Sequence, residues 1–257
     1  MTNGLDVRTS DGVLRLTLER PAQYNALTAA MTDRLAEELE GAAARDDVRV
    51  VLLTGTGAAF SSGADLSGAD AHEGFDVTSL DRANRLVRAI VSLDRPVVAA
   101  VNGVAAGVGC SAAVACDLVV AAESARFVLA FSRIGLMPDG GATATVAAAV
   151  GRLRAMRMAL LGEALTAREE YDAGLASHVV PDADLPDAVE DIVRRLAAGP
   201  PLAYAATKKA VNAATLGHLE EALQRERTGQ TVLLRTDDVA EGMRAFGEKR
   251  RPEFRGA

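Results

Sequence analysis

Cysteine and histidine are scarce in this chain, two of one and three of the other among 257 residues. Cys110 and Cys116 stand six apart in one Ala/Val-rich stretch with no histidine beside them. That is not a metal-ligand spacing, and it reads as two small buried thiols. His72, His178 and His218 are scattered, so no metal site is expected. A basic excess is missing too. Lys and Arg number 28 against 35 Asp and Glu, a net charge of −7, which argues against a general nucleic-acid binder. No apolar run reaches membrane-spanning length without interruption; the nearest, Val97 to Ala115, is broken by Asn102, Ser111 and glycines. The opening residues, Met1 to Asp6, lack the basic region and apolar core of a signal peptide, so a cytoplasmic protein is expected.

Apolar residues make up 49% of the chain, enough for one large core or two modest ones. Val13 to Glu19 alternates polar and apolar and predicts a half-buried strand stopped by Pro21. Thr28 opens a helix to about Arg45, with Leu27, Met31, Leu35 and Leu39 on one face. Val48 to Gly55, Pro96 to Val101 and Leu118 to Ala121 predict further strands, apolar at most positions, as in a sheet covered on both sides. Ser79 to Leu93 predicts an amphipathic helix between them, and Ser111 to Ala115 a short one. From about Ala142 the pattern is helical apart from a strand at Ser177 to Val180. Strand and helix in repetition predict an α/β fold for the first 140 residues or so, followed by a helical subdomain.

Two glycine-bearing turns follow strands directly. Gly103-Val104-Ala105-Ala106-Gly107-Val108-Gly109 opens a helix, where backbone N–H groups suit an anion or a developing oxyanion. Ala58 to Leu66 is the second. Two such junctions can converge on one carbonyl oxygen, the geometry of an oxyanion hole. The first turn also matches the GxxxGxG spacing of short-chain dehydrogenases, and Tyr204 to Lys208 mimics their YxxxK pair. In those enzymes the glycine turn follows the first strand of the chain, so about a hundred residues here would be left unexplained. The Tyr-Lys match therefore reads as surface lysines beside a buried Tyr.

Asp139 sits among apolar and small neighbours, after Ile134-Gly135-Leu136-Met137-Pro138 and before Gly140 and Gly141. A carboxylate in an apolar pocket has a raised pKa and can exchange a proton with a weakly acidic carbon. The plainer reading of Asp139 is a cap for the helix that begins near Ala142.

Six segments in order carry a resemblance over essentially the whole chain. They are Leu18 to Pro21 with Asn25 to Leu27; Phe60 to Leu66; Arg95 to Gly103; Cys116 to Leu118; Gly135 to Gly141; and Glu241 to Arg250. Together they resemble the crotonase family, the enoyl-CoA hydratases and isomerases. The resemblance implies an α/β fold, a crotonase-like spiral of repeated ββα units, over residues 1–195. It also implies a helical region, 196–257, for oligomerisation and pocket closure, in a homotrimer or hexamer. It implies an acyl-CoA thioester as substrate, with coenzyme A part of that substrate and no separate cofactor. Carried over, the oxyanion-hole N–H groups are those of Ala64 and Val108. Contacts to coenzyme A or the acyl group fall to Ser62, Ala64, Asp65, Leu66, Gly107, Ser111, Phe131 and Lys249.

The departures matter as much. A hydratase of this family carries two glutamates that hold water; their places here are Ser111 and Phe131. Serine cannot act unaided as a general base near neutral pH, and Phe131 cannot act at all. With Phe131 and Asp139 the chain looks instead like the isomerase branch, in which the carboxylate after the Pro is the sole acid/base. The run Phe127 to Asp139 and the tail Ala203 to Lys209 resemble the ring 1,2-epoxyphenylacetyl-CoA isomerases of phenylacetate degradation. An isomerase is therefore expected, with Asp139 catalytic and Ser111 widening the acyl pocket. Asp65 is expected to shape its turn and Asp117 to be a satisfied buried acid. Glu123, Glu163, Glu169 and Glu170 are expected on solvated faces. A hydratase with an atypical site and a non-catalytic acyl-CoA binder remain as alternatives.

Overall fold

The alternating segment after Gly12 forms β2 (Val13–Leu18), paired antiparallel with β1 (Leu5–Ser10) in a computed structural model that describes residues 4–67 and 76–257. His72 lies outside the described residues. The turn between β1 and β2 places Asp11 and Gly12 in the left-handed region, as a tight two-residue hairpin requires. β1 adds a strand that the apolar pattern did not mark, because it is an edge strand fully buried only at Leu5. Next come β3 (Val50–Gly55), β5 (Val97–Val101), β7 (Leu118–Ala122) and β10 (His178–Val180). They run parallel and give the order β1-β2-β3-β5-β7-β10.

A second sheet joins β4 (Ala59–Ser61), β6 (Val104–Ala106), β8 (Arg126–Val128) and β9 (Leu165–Thr166); β4 and β6 lie inside segments that read as turns, and β9 interrupts the run expected to be helical. Strands of two or three Ala, Ser and Val residues carry no readable periodicity. Each long strand is followed shortly by a short one: β3 by β4, β5 by β6, β7 by β8. Helices α2 (Val77–Ser92) and α3 (Val108–Val114) follow β4 and β6, which makes the expected ββα spiral. α3 starts three residues earlier than the pattern implied, on the last turn of the glycine-rich segment.

α1 (Ala29–Ala42) is capped by Thr28, whose hydroxyl accepts Met31 N–H, and it buries Met31, Leu35 and Leu39 completely. The chain then continues as α4 (Ala142–Leu161), α5 (Ala167–Ala173), α6 (Leu185–Ala198), α7 (Pro201–Thr215), α8 (Leu219–Leu233) and α9 (Asp237–Gly247). α6 lies against β2, β3, β5 and β7, and residue 195 falls within it. α8 packs on α2 and α4, which sets a helix from the C-terminal region over the turns that end the spiral.

Two expectations are corrected. Glu170 is not on a solvated face. It is fully buried, because the short α5 docks on β8, β9 and β10, and both its oxygens lack a partner among the described residues. Burial pushes its carboxyl up to about 7. Neighbouring Glu169 does face solvent, in a capping box with Thr166. Lys208 is not a surface lysine either. Its side chain is 8% exposed, and Nζ lies 2.8 Å from Asp117 Oδ2 and donates to Ile90 O at 2.8 Å and Arg95 O at 3.2 Å. Asp117 Oδ2 also accepts Val97 N–H, so this acid is satisfied as expected, and the pair ties α7 to the start of β5. Replacing Lys208 with Met leaves a partly buried carboxylate and two carbonyls without their cation. Unfolding in denaturant should show a loss of about 3 kcal/mol, most of it recovered in Asp117→Asn/Lys208→Met.

Candidate functional site

Gly63 and Gly107 bring the two glycine turns together. A Cβ on Gly63 would stand 2.9 Å from Ala106 O, and one on Gly107 would stand 3.8 Å from Gly63 Cα. Both glycines have positive φ, +97° and +52°, so neither position suits a side chain. The next residue in each turn is Ala64 or Val108. Ala64 pairs with Leu27 through its neighbours: Leu27 N–H donates to Gly63 O, and Asp65 N–H donates to Leu27 O. That pairing turns the N–H of Ala64 itself to the other side. Val108 is the first residue of α3, where an N–H has no acceptor within the helix. Among the described residues, neither amide has a backbone acceptor in these turns.

Asp139 is 4% exposed and sits at the foot of the same helix. Ser111, on the second turn of α3, donates its hydroxyl to Asp139 O at 2.8 Å. Gly140 and Gly141 then turn in the left-handed region, φ +61° and +75°, into α4. A Cβ on Gly140 would meet Ser111 Cβ at 3.2 Å, and one on Gly141 would meet Leu219 Cδ1 at 2.9 Å. The two glycines thus let α3 and α8 close on both sides of the carboxylate. Gln230 Nε2 donates to Asp139 Oδ2 at 2.9 Å. Burial pushes the Asp139 carboxyl up to about 7; the Gln230 bond opposes the rise and the Glu226 carboxylate adds to it.

Asp139 does not cap α4. The helix is capped by Gly141 without a side-chain bond, and the carboxylate serving its first turn belongs to Glu226. Glu226 Oε2 accepts Gly141 N–H at 2.7 Å, and Oε1 accepts Thr143 N–H at 2.9 Å together with the Thr143 hydroxyl. Glu226 is 1% and Gln230 0% exposed, one helical turn apart on α8. Neither stood out in the sequence. Both lie in Leu219-Glu220-Glu221-Ala222-Leu223-Gln224-Arg225-Glu226-Arg227, continuing to Gln230, where a polar run hides which face is inward. The readable signal was Leu219, Ala222, Leu223, Glu226 and Gln230 at helical spacing, a buried face that ends in polar groups.

The other expected residues divide. Asp65 shapes its turn: Oδ2 pairs with Arg20 Nη1 at 2.7 Å and Oδ1 accepts Ser67 N–H. Ser62 is exposed on that turn and Leu66 is half-buried against the core. Phe131 is buried beside Leu129 and Leu136 in the apolar cluster. Ser111 is fully buried with its hydroxyl engaged, so it ties two elements together where an open pocket floor was expected. Lys249 is exposed just after α9, and among the described residues no side-chain bond links it to the turns. A surface depression of about 420 Å³ between α4 and the α7–α8 turn is lined by Thr143, Ala148, His218, Leu219 and Arg225. Ala64, Val108 and Asp139 take no part in it.

Comparison with known proteins places the chain in a family. Residues 8–257 match the family model described as Enoyl-CoA hydratase/isomerase. The chain is 40% identical over 250 residues to the 1,2-epoxyphenylacetyl-CoA isomerase of Escherichia coli, covering 95% of each chain. It is also 40% identical over 253 residues to the 2,3-dehydroadipyl-CoA hydratase of the same organism, covering 98% of each. The crystal structure of an enoyl-CoA hydratase from Mycobacterium avium subsp. paratuberculosis superposes with a TM-score of 0.93 at 49% identity, over 99% of this chain and 100% of that one.

A carboxyl raised toward 7 by burial contributes stability that is fully present below its unfolded pKa and is lost as pH rises through the folded value. Asp139→Asn keeps an acceptor for Gln230 and never ionises. The variant should therefore gain on the native protein between pH 5 and pH 8.5. Thermal unfolding should show it ahead by about 2 kcal/mol at the higher pH and nearly level at the lower. A constant gap across that range would mean that Asp139 does not titrate there.

Proposed function

The chain belongs to the enoyl-CoA hydratase/isomerase family, and from that premise we propose that it is an acyl-CoA isomerase with one acid/base, Asp139. The observation that carries this reading is a carboxylate left free to exchange a proton: Asp139 is buried beside the two converging turns, Glu226 is taken up by two amides, and Ser111 and Phe131 stand where a hydratase would need glutamates. With a pKa near 7 it is partly ionised at neutral pH and can both take and return a proton.

In the proposed reaction the thioester oxygen of a 3-enoyl-CoA receives the N–H groups of Ala64 and Val108. The Asp139 carboxylate takes a proton from C2, and the electron pair of that C–H bond passes into an enolate held by those two amides. Asp139 then returns the proton at C4, and the double bond moves from C3–C4 to C2–C3. No net proton or electron is exchanged. The same enolate-stabilising site suits a ring epoxide one methylene away from a thioester carbonyl, the chemistry named for one of the E. coli relatives. Ser62, Leu66 and Gly107 are assigned to the path of coenzyme A and Lys249 to its phosphates. The exposed apolar residues of α4, Leu153, Leu160 and Leu161, support assembly into a homotrimer or hexamer.

A hydratase is the second reading, favoured by the activity named for the other E. coli relative. Against it stands the Ser111 hydroxyl, whose one proton is given to Asp139 O, so that it has none to donate to a water. Purified protein with 3-hexenoyl-CoA should give rising ultraviolet absorbance from the conjugated 2-enoyl thioester. Asp139→Asn should lower turnover by about 10²–10⁴-fold with thioester binding retained. Near-full turnover by that variant removes Asp139 from the mechanism. Hydration of a 2-enoyl-CoA at comparable rates favours the second reading, and binding without turnover over a range of thioesters indicates a non-catalytic binder.

A further inference from the structure

Gln230 stands between two groups that fix which way it faces. Its Oε1 accepts Met137 N–H at 3.1 Å, and its Nε2 donates to Asp139 Oδ2 at 2.9 Å. A backbone N–H can only donate, so the oxygen of the side-chain amide must face Met137. The NH2 group must then face Asp139, whatever the ambiguity of amide assignment elsewhere. An NH2 group can only donate in turn, so Asp139 Oδ2 must accept. That bond favours Oδ1 as the site of a proton on Asp139, and Oδ1 accepts no hydrogen bond among the described residues.

We propose that Gln230 is a positioning residue for Asp139: keyed by the Met137 amide, it occupies Oδ2 and leaves Oδ1 as the oxygen that exchanges the proton. The proposal rests on the reading of Asp139 as acid/base. Glu226 is the counterpart on α8. One turn earlier, its carboxylate anchors the amides of Gly141 and Thr143, which holds the turn after Asp139. One helix face thus presents Asp139 with a donor that favours its ionised form and a negative charge that opposes it.

The other elements around Asp139 bring little charge. α3 contributes Ser111 through its hydroxyl, and Cys110 on that helix has a thiol that burial pushes up to about 12. α2 brings Val87 against Gly141, and α4 brings Thr143. Arg225, next to Glu226, acts on Glu226. Among the described residues, Glu226 is the charge that acts on Asp139.

The test is the acid limb of kcat/KM against pH, which reports the free enzyme's base. Gln230→Met keeps the bulk and removes the donor, so the limb should move up by about one pH unit, with kcat falling more than KM changes. Glu226→Gln keeps an acceptor for the turn and removes the charge, so the limb should move down by about half a unit. Opposite shifts from two residues one turn apart on the same face are not what loosened packing would give. If Gln230→Met does not fold, Gln230→Glu serves: it can still accept Met137 N–H but faces Asp139 with a second carboxylate, and its limb should also move up. Activity lost in either variant with an unmoved limb overturns the positioning role. Asp139→Asn keeps the two questions apart. Turnover retained there defeats the assignment of Asp139, whereas turnover lost there with unmoved limbs in the α8 variants defeats only the role of Gln230.

Discussion

One carboxylate held out of water sets the terms for the rest of this structure. An isolated buried charge is costly, and a protein normally answers with a cation or by letting the group take up a proton. Among the described residues, Asp139 has no cation beside it. It has one N–H from Gln230 and a second carboxylate nearby, so its ionised form is tolerated without being favoured. The partly buried acid at Asp117 shows the alternative within the same chain: there Lys208 supplies a full positive charge and the pair becomes a strut between α7 and β5. The two sites differ in what they are built for. Burial raises the Asp117 carboxyl too, but there a lysine's full charge opposes the rise, whereas at Asp139 only an amide does, which leaves that group near the middle of its titration and able to change state.

The geometry around Asp139 depends on backbone more than on side chains. Four glycines, Gly63, Gly107, Gly140 and Gly141, stand in the left-handed region where the two turns and α4 meet α3. At Gly63, Gly140 and Gly141 a Cβ would press against the neighbouring element, so the absence of a side chain lets the turns approach. Ser111 joins these parts. Its hydroxyl fastens Asp139 O to α3, the helix whose first residue, Val108, faces the partner turn. The proposed oxyanion donor and the proposed base are in this way set on one short rigid piece. Such rigidity is what proton transfer at a carbon requires, because acid strength matters only when the distance is fixed.

Much of this was legible in the residues. The α1 stripe, the long strands and the pairing of glycine turns with strands all follow from periodicity and turn chemistry, and Asp139 stood out as a carboxylate in apolar company. The short strands β4, β6, β8 and β9 were not legible, because two or three residues make no pattern and their identity as strands comes from neighbours far along the chain, parallel for β4, β6 and β8 and antiparallel for β9. Glu170 misled for a related reason: it sits beside Glu169 in a charged run, and only the docking of a seven-residue helix decides which of the two is buried. Glu226 and Gln230 were hidden because a long-range contact gives them their role. They lie about ninety residues from Asp139 and are polar residues on a charged helix.

The same contact bears on the choice between moving a proton and adding water. Hydration asks for two groups disposed about one water molecule, one to take its proton and one to hold it in line. At Asp139 the neighbouring polar groups already have partners: the Ser111 hydroxyl is on a carbonyl, Glu226 is on two amides and a hydroxyl, and Gln230 is on Met137 and Asp139 itself. Phe131 fills the remaining position with an apolar ring. What stays available is Oδ1 of a single carboxylate. A lone oxygen that can bind and release a proton, beside amides able to hold an enolate, can shuttle that proton between two carbons of one substrate. Among the described residues it has no second polar arm with which to steer water, and that asymmetry is what supports the proposal of an isomerase.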